Sequence, residues 1–172
     1  AKMHAADGAP EVALPILRDA LAELRRKVGN RHPLVIDMLR SLCALDRATD
    51  RLDDAVRHCR ESQSLAEDLH GRDHRASVDA NRQLAALYVD LGRFSQAESI
   101  FLQTFGWMRS RLDRNHPDLA RAYNSLAIVA WERGDIDRAL DFQRQAVAAW
   151  STGHNDGLTA GGLFNLALIL HS

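Results

Sequence analysis

The feature that most constrains this chain is a sequence repeat with a period of 42 residues. A shift by one period superimposes His32 on His74, and a second shift superimposes both on His116. The same shifts align three Leu-small pairs, three turn positions and three alanines: Leu42-Cys43, Leu84-Ala85 and Leu126-Ala127; Asp50, Gly92 and Gly134; Ala55, Ala97 and Ala139. Periods of about 20–50 residues indicate a solenoid, because one unit cannot bury its apolar face alone.

Each unit is predicted to contain two helices. Apolar residues recur at intervals of three and four from Leu119 to Ala130, as on one face of a helix. Gly134 then interrupts the pattern, and a second helical stripe runs from Ile136 to Trp150. The recurrent alanines favour close helix crossings, since short side chains let two backbones approach. The expected fold class is therefore all-α, made of antiparallel helix pairs.

The recurrent histidines are expected to mark helix starts. In "NRHPL" and "RNHPDL" a polar residue precedes a proline that suits the first helical turn, where Asn, Asp or a similar side chain can cap free N–H groups. A shared metal site is the alternative. Two helix layers of about 8–10 Å separate equivalent histidines, which places them roughly 18 Å apart and too far to share an ion. We expect no metal and no cofactor.

Composition and motifs narrow the function classes. A net charge of −1 argues against a nucleic-acid or acidic-membrane surface, and no apolar run is long enough to span a bilayer. Cys43 and Cys59 lack CxxC spacing, so we expect small buried thiols and no disulfide, with the cytoplasm as the default location. No nucleophile elbow, zinc-protease, P-loop or dinucleotide motif occurs. The chain is expected not to be an enzyme.

The repeated residues resemble tetratricopeptide (TPR) repeats, and more narrowly the long kinesin light chain type with a His-Pro linker, which also occurs in bacterial proteins. The third repeat carries the resemblance most fully, through Tyr123, Leu126, Ala127, Gly134, Ala139 and Ala146. The resemblance implies a right-handed superhelical solenoid with three full repeats and a half repeat at each end. The expected parts of this single domain are a second helix in 1–31, repeats in 32–73, 74–115 and 116–157, and a first helix in 158–172.

In the resembling family the first helices line a concave groove that binds a peptide. The corresponding residues here are Asp37, Arg40, Arg47, Asp79, Arg82, Val89, Arg121, Asn124, Ile128, Trp131 and Asn165. Arginine replaces the family's ligand-binding asparagine at Arg40 and Arg82, which suggests an acidic partner. Alternatively, these arginines only pair with Asp37 and Asp79 one turn away. Trp131 is either a ligand anchor or a packing residue.

Two functions remain open at this point. The first is a non-catalytic scaffold that binds a peptide of a partner protein in the groove, without nucleic acid or membrane. The second is a structural, self-associating or autoregulatory segment of a larger signalling protein. The last helix carries apolar residues with no following helix to cover them, from Leu163 to Leu170. Because solenoids normally end in a polar cap, we expect the chain to be a piece of a longer repeat protein whose ends stack on neighbouring molecules.

Overall fold

The computed structural model describes residues 9–152 and 156–170, and this part of the chain folds into helices without any strand. The eight helices are α1 (Ala9–Val28), α2 (Pro33–Ala48), α3 (Leu52–His70), α4 (Arg75–Asp90), α5 (Phe94–Arg111), α6 (Pro117–Glu132), α7 (Ile136–Thr152) and α8 (Asp156–Leu170). The predicted all-α class is confirmed. The chain divides into two compact units, Ala1–Leu87 and Tyr88–Ser172, with the boundary inside α4.

The recurrent histidines begin helices, but the capping group differs from the prediction. The imidazole ring itself accepts the hydrogen bond, whereas the expectation named Asn, Asp or a similar side chain for this role. His32 Nδ1 accepts from the Leu34 N–H at 3.2 Å, His74 Nδ1 from Ala76 at 3.1 Å and His116 Nδ1 from Asp118 at 3.1 Å. A neutral imidazole has one ring nitrogen with a free lone pair, and that nitrogen occupies the place of a Ser or Asp oxygen.

The turns inside the repeats share one backbone conformation. Gly92 and Gly134 adopt φ values of +67° and +78°, and Asp50 adopts +60° at the equivalent position. Left-handed φ is easy for glycine and tolerable for aspartate, whose short polar side chain can bond locally. The register predicted from the 42-residue repeat therefore extends to the backbone at all three turns.

The core of the first unit lies between α1, α2, α3 and α4. α1 contributes Leu14 and Leu21, which pack against Val35, Leu39 and Leu42 of α2. A second cluster contains one buried residue from each of three helices: Ile36 of α2, Ala66 of α3 and Ala80 of α4. The small side chains of Ala66 and Ala80 let the helices approach closely.

A disulfide joins Cys43 of α2 to Cys59 of α3, with Cα atoms 5.3 Å apart. The prediction of two free thiols was therefore wrong. Both residues are buried, and Cys43 occupies the small-residue position of Ala85 and Ala127 in the register. The absence of CxxC spacing excludes only motifs of the CxxC type, and it does not exclude a disulfide between distant cysteines. Two cysteines on facing sides of a helix pair can meet although they are 16 positions apart in the sequence.

In the second unit α6 packs on α7, and α7 packs on α8. One cluster is formed by Ala120, Ala146, Ala149 and Trp150 with the half-buried Tyr123. Another joins α6, α7 and α8 through Ala130, Ala139 and Ile169. Ala97, Ala127 and Ala139 are fully buried. The last helix leaves a broad apolar surface exposed, at Leu163, Phe164, Leu168 and Leu170.

Candidate functional site

Two of the predicted site residues bond directly to each other in the second unit. Asn165 Nδ2 of α8 donates a hydrogen bond to Asn124 Oδ1 of α6 over 3.2 Å. Both residues are half-buried. Each amide therefore keeps one polar atom without a partner among the described residues: the NH2 group of Asn124 and the carbonyl oxygen of Asn165.

The position of Asn165 depends on how α8 is held against α7. The Gln143 side chain is fully buried and donates from Nε2 to the Gly162 carbonyl over 3.0 Å. Gly162 lies against the Trp150 ring, so closely that a Cβ on it would come within 2.7 Å of a ring carbon. These two contacts fix the α8 backbone one turn before Asn165. Gln143 was not predicted to be a site residue. It aligns with the buried Cys59 and Phe101 in the 42-residue register, and this alignment indicates a polar residue on a core face.

A small cavity of about 30 Å³ adjoins the asparagine pair. Ile128 and Trp131 of α6 line it together with Asn165 and Leu168 of α8. This volume suits a methyl group or one water molecule. The structure thus brings together Asn124, Ile128, Trp131 and Asn165, which the sequence placed on one face.

Trp131 has the packing contacts that the sequence analysis held open as an alternative. It packs on the cluster of Ala130, Ala139 and Ile169. The side chain is half-buried, so part of the indole also borders the cavity. Of the other tryptophans, Trp150 is 4% exposed and belongs to the core, whereas Trp107 is half-buried beneath the guanidinium of Arg111 at 5.1 Å.

In the first unit the predicted charged residues form short-range pairs. Arg40 lies 3.8 Å from Asp37, and Arg82 lies 3.4 Å from Asp79, each one turn apart on its own helix. Gln83 of α4 donates to the Arg40 carbonyl over 2.8 Å, which joins α4 to α2 beside these pairs. The intrahelical pairing weighed in the sequence analysis is present in both helices. Such exposed pairs contribute a few tenths of a kcal/mol.

The remaining predicted residues are Arg47, Val89 and Arg121. Arg47 is exposed near the end of α2, and Val89 is half-buried near the end of α4. Arg121 donates to Asp118 over 2.9 Å at the start of α6.

A buried polar cluster in the first unit was not predicted. Asp46 of α2 is fully buried, and its carboxylate contacts His58 of α3 at 2.7 Å and Arg18 of α1 at 3.4 Å. Arg18 also donates to Asp54 over 2.6 Å. The signal was available: Asp46 takes the register position of Tyr88 and Ala130, so a carboxylate stands where the other repeats have a core residue.

In this cluster, the pKa of Asp54 departs from its ordinary value. Burial alone would raise the pKa of Asp54, but the guanidinium groups of Arg57 and Arg18 lower it by more. The pKa of Asp54 therefore lies below the ordinary value for an aspartate.

Within the described residues, no set of three or more His, Cys, Asp and Glu side chains could hold a metal ion. None of the described helices is long and apolar enough to cross a bilayer.

The fold places this chain among the proteins built from repeated helical hairpins. A family model of the tetratricopeptide repeat matches residues 34–106 and 77–152, and the chain belongs to that family. Proteins of this fold generally mediate protein–protein interactions, because stacked repeats present extended surfaces. No curated protein matches the chain significantly.

Solved structures of the kinesin light chain-like type share the fold. The repeats of a kinesin light chain homologue from Podosopora anserina superimpose with a TM-score of 0.84 at 17% identity, over 96% of this chain and 79% of that one. BtubC (BKLC) from P. vanneervenii gives a TM-score of 0.74 at 15% identity, over 96% and 74% of the two chains. A MamA double mutant from RS-1 gives 0.60 at 15% identity, over 95% and 86%.

Proposed function

We propose that this chain is a non-catalytic protein-interaction scaffold that binds an extended peptide segment of a partner protein. Within each unit the binding surface is formed by the first helices of the repeats, α2 and most of α4 in the first unit, and the end of α4 with α6 and α8 in the second. It includes Asp37, Arg40, Arg47, Asp79, Arg82, Val89, Arg121, Asn124, Ile128, Trp131 and Asn165.

The hydrogen bond between Asn124 and Asn165 is the observation that carries this proposal. It leaves one NH2 group and one amide carbonyl without a partner among the described residues, on two adjacent first helices. A peptide unit offers one C=O and one N–H, so the pair can satisfy both without reference to the ligand's side chains. The two amides already hold each other, so little side-chain entropy is lost on binding.

Side-chain preference would come from two neighbouring features. The cavity of about 30 Å³ beside Asn165 accepts a group no larger than a methyl, which favours alanine or a similarly small residue next to the bonded peptide unit. In the first unit, Arg40 and Arg82 each use little of their five-donor capacity on one aspartate. A partner carboxylate can displace these weak pairs and take a bidentate contact, so the segment is acidic where it meets α2 and α4.

The test is a peptide-display selection against the parent and an Arg40→Glu/Arg82→Glu/Asn124→Ala variant. An Arg26→Glu/Arg144→Glu variant is the control, because these exposed arginines lie on second helices. We expect the parent and the control to enrich one motif with acidic residues and a small side chain, and the triple variant to lose it. Enrichment that survives the triple substitution would overturn the proposal, provided that all proteins have the same circular dichroism.

Self-association is the second candidate, and the exposed apolar surface of α8 favours it. Phe164 is 65% exposed and Leu170 59%, more than a helix facing only water normally shows. Sedimentation of the parent and a Phe164→Ser variant between about 10 and 500 μM separates the two candidates. A mass that rises with concentration in the parent alone supports association through α8, and a constant monomer mass in both removes it.

A further inference from the structure

A second concave site lies in the second unit, on the side of α6 opposite its proposed peptide-binding face. The cleft has a volume of about 530 Å³, within the range of small-molecule sites. α6 contributes Leu119 and Tyr123 to its wall. Two residues along an α-helix turn through about 200°, so both residues face away from Arg121. The cleft is therefore separate from the surface that contains Asn124 and Ile128.

The charge of the cleft is one-sided. Arg109, from the last turn of α5, and Arg114, from the loop that follows, both line it, and none of the described residues that line it is acidic. Neither arginine forms an ion pair or side-chain hydrogen bond with any residue that the structure describes. Elsewhere in this unit Arg121 pairs with Asp118, and Arg133 and Arg138 both pair with Glu98. The cleft thus holds two guanidinium groups whose donors face solvent.

The other described lining residues are two amides, one tyrosine and several apolar side chains. Asn115 and Gln145 supply exposed amides, and the floor is formed by buried Leu119 and Ala149. The Tyr123 ring packs edge-on against Phe105 at 4.7 Å, and its hydroxyl has no hydrogen-bond partner among the described residues. The cleft therefore matches a ligand that has an anionic group, a neutral polar group and an apolar part.

We propose that this cleft binds a carboxylate that carries a neutral amide and a compact apolar side chain. Arg109 and Arg114 hold the carboxylate, since a guanidinium fork matches its two oxygens and the pairing is charge-assisted. Asn115 and Gln145 bond the ligand's amide, and Leu119 and Ala149 take the apolar side chain. An N-acylated apolar amino acid has this chemistry, either as a small molecule or as the last residue of a peptide.

The experiment is an NMR titration of the full chain with N-acetyl-leucine, followed through the backbone amides of Asn115 and Gln145 and the Nε–Hε signals of both arginines. N-acetyl-leucinamide, which has no carboxylate, and inorganic phosphate, which has no apolar body, are the matched probes. We expect saturable shifts with N-acetyl-leucine at a Kd on the order of 1 mM. The other two probes should bind at least about tenfold more weakly.

Arginine variants distinguish binding in the cleft from a general effect of the protein's net charge. Arg109→Gln and Arg114→Gln should each weaken N-acetyl-leucine about tenfold, the size of one lost charged hydrogen bond. Arg144→Gln removes the same charge from an exposed α7 position outside the cleft and should leave the affinity unchanged. Spectra that agree away from the cleft show that the variants fold. No saturation, equal response to the amide or to phosphate, or indifference to both arginine variants would overturn the assignment.

The source of the carboxylate is decided by N-acetyl-Ala-Ala-Leu in the same titration. Tighter binding than N-acetyl-leucine identifies a peptide terminus as the ligand, and equal binding identifies a small acid. Asn124 does not line the cleft, so the Asn124→Ala variant changes the proposed peptide surface and leaves every residue of the cleft in place. The titration of the cleft therefore tests this proposal separately from the proposed peptide surface.

Discussion

His58 Nδ1 lies 2.7 Å from Asp46 Oδ2, and both side chains are buried between α2 and α3. Asp46 also faces the Arg18 guanidinium of α1 at 3.4 Å, so one carboxylate joins three helices of the first unit. Such a cluster stabilises the fold only while every member keeps its partner.

Asp46→Ala should therefore destabilise the protein strongly. It removes the acceptor of the buried His58 and one acceptor of the partly exposed Arg18, and we expect the free energy of unfolding to fall by about 3 kcal/mol. Asp46→Asn keeps an oxygen acceptor and should cost less. Urea unfolding of both variants measures the difference. A loss below about 1 kcal/mol for the alanine variant would show that the cluster contributes no net stability.

Asp54 should make part of the stability depend on pH. Its pKa is lower in the folded chain than in the unfolded one, so its contribution is present above the unfolded pKa and is lost as pH falls through the folded pKa. Asp54→Asn should cost on the order of 0.5 kcal/mol at pH 7, as for a solvent-screened pair. The difference from the parent should shrink as the pH falls through the folded pKa of Asp54. A series of unfolding curves from pH 7 downwards measures this, and a difference that grows at low pH would contradict the assignment.

The Cys43–Cys59 disulfide should stabilise the first unit. It closes a loop of 16 residues, for which chain entropy predicts about 3 kcal/mol. Cys43→Ala/Cys59→Ala should lower the free energy of unfolding of the oxidised protein by that order, and dithiothreitol should have a similar effect on the parent alone. A cytosolic location would keep these residues as thiols. Thiol titration of freshly purified protein tells the two states apart, and two reactive thiols after unfolding would show that the bond is absent.

Gly134 and Gly106 should respond to alanine with opposite signs. A Cβ would meet no heavy atom within 4 Å at either position, so packing is not involved. Gly134 has a φ of +78°, and alanine there should cost about 1–2 kcal/mol of backbone strain. Gly106 lies inside α5, where alanine should stabilise the helix by about 0.5–1 kcal/mol. Thermal unfolding measures both, and a Gly134→Ala variant as stable as the parent would contradict this account.

His116→Ala should test the imidazole cap. Loss of an N-cap acceptor costs about 1 kcal/mol, while His116→Asp supplies another acceptor and a charge that suits the helix N-terminus. The aspartate variant should therefore match or exceed the parent in chemical unfolding. Equal destabilisation by both substitutions would mean that the ring contributes by packing and not as an acceptor.

Much of this fold could be predicted from the sequence, because a repeat constrains many positions at once. The period predicted the helix starts at His32, His74 and His116, the turns at Gly92 and Gly134, and the buried alanines. It also predicted a common face for Asn124, Ile128, Trp131 and Asn165. Local backbone preference and apolar spacing are properties of neighbouring residues, so they can be read along one chain.

Tertiary structure alone decided where single residues depart from the repeat. Periodicity averages over the units, and therefore cannot say that Cys43 meets Cys59, that Asp46 faces His58, or that buried Gln143 holds the backbone of α8. It also could not show that Arg109 and Arg114 share a cleft whose described lining residues include no carboxylate, while Arg40 and Arg82 each have a carboxylate beside them. Those outcomes depend on distances between helices, which are fixed when side chains pack to fill the core.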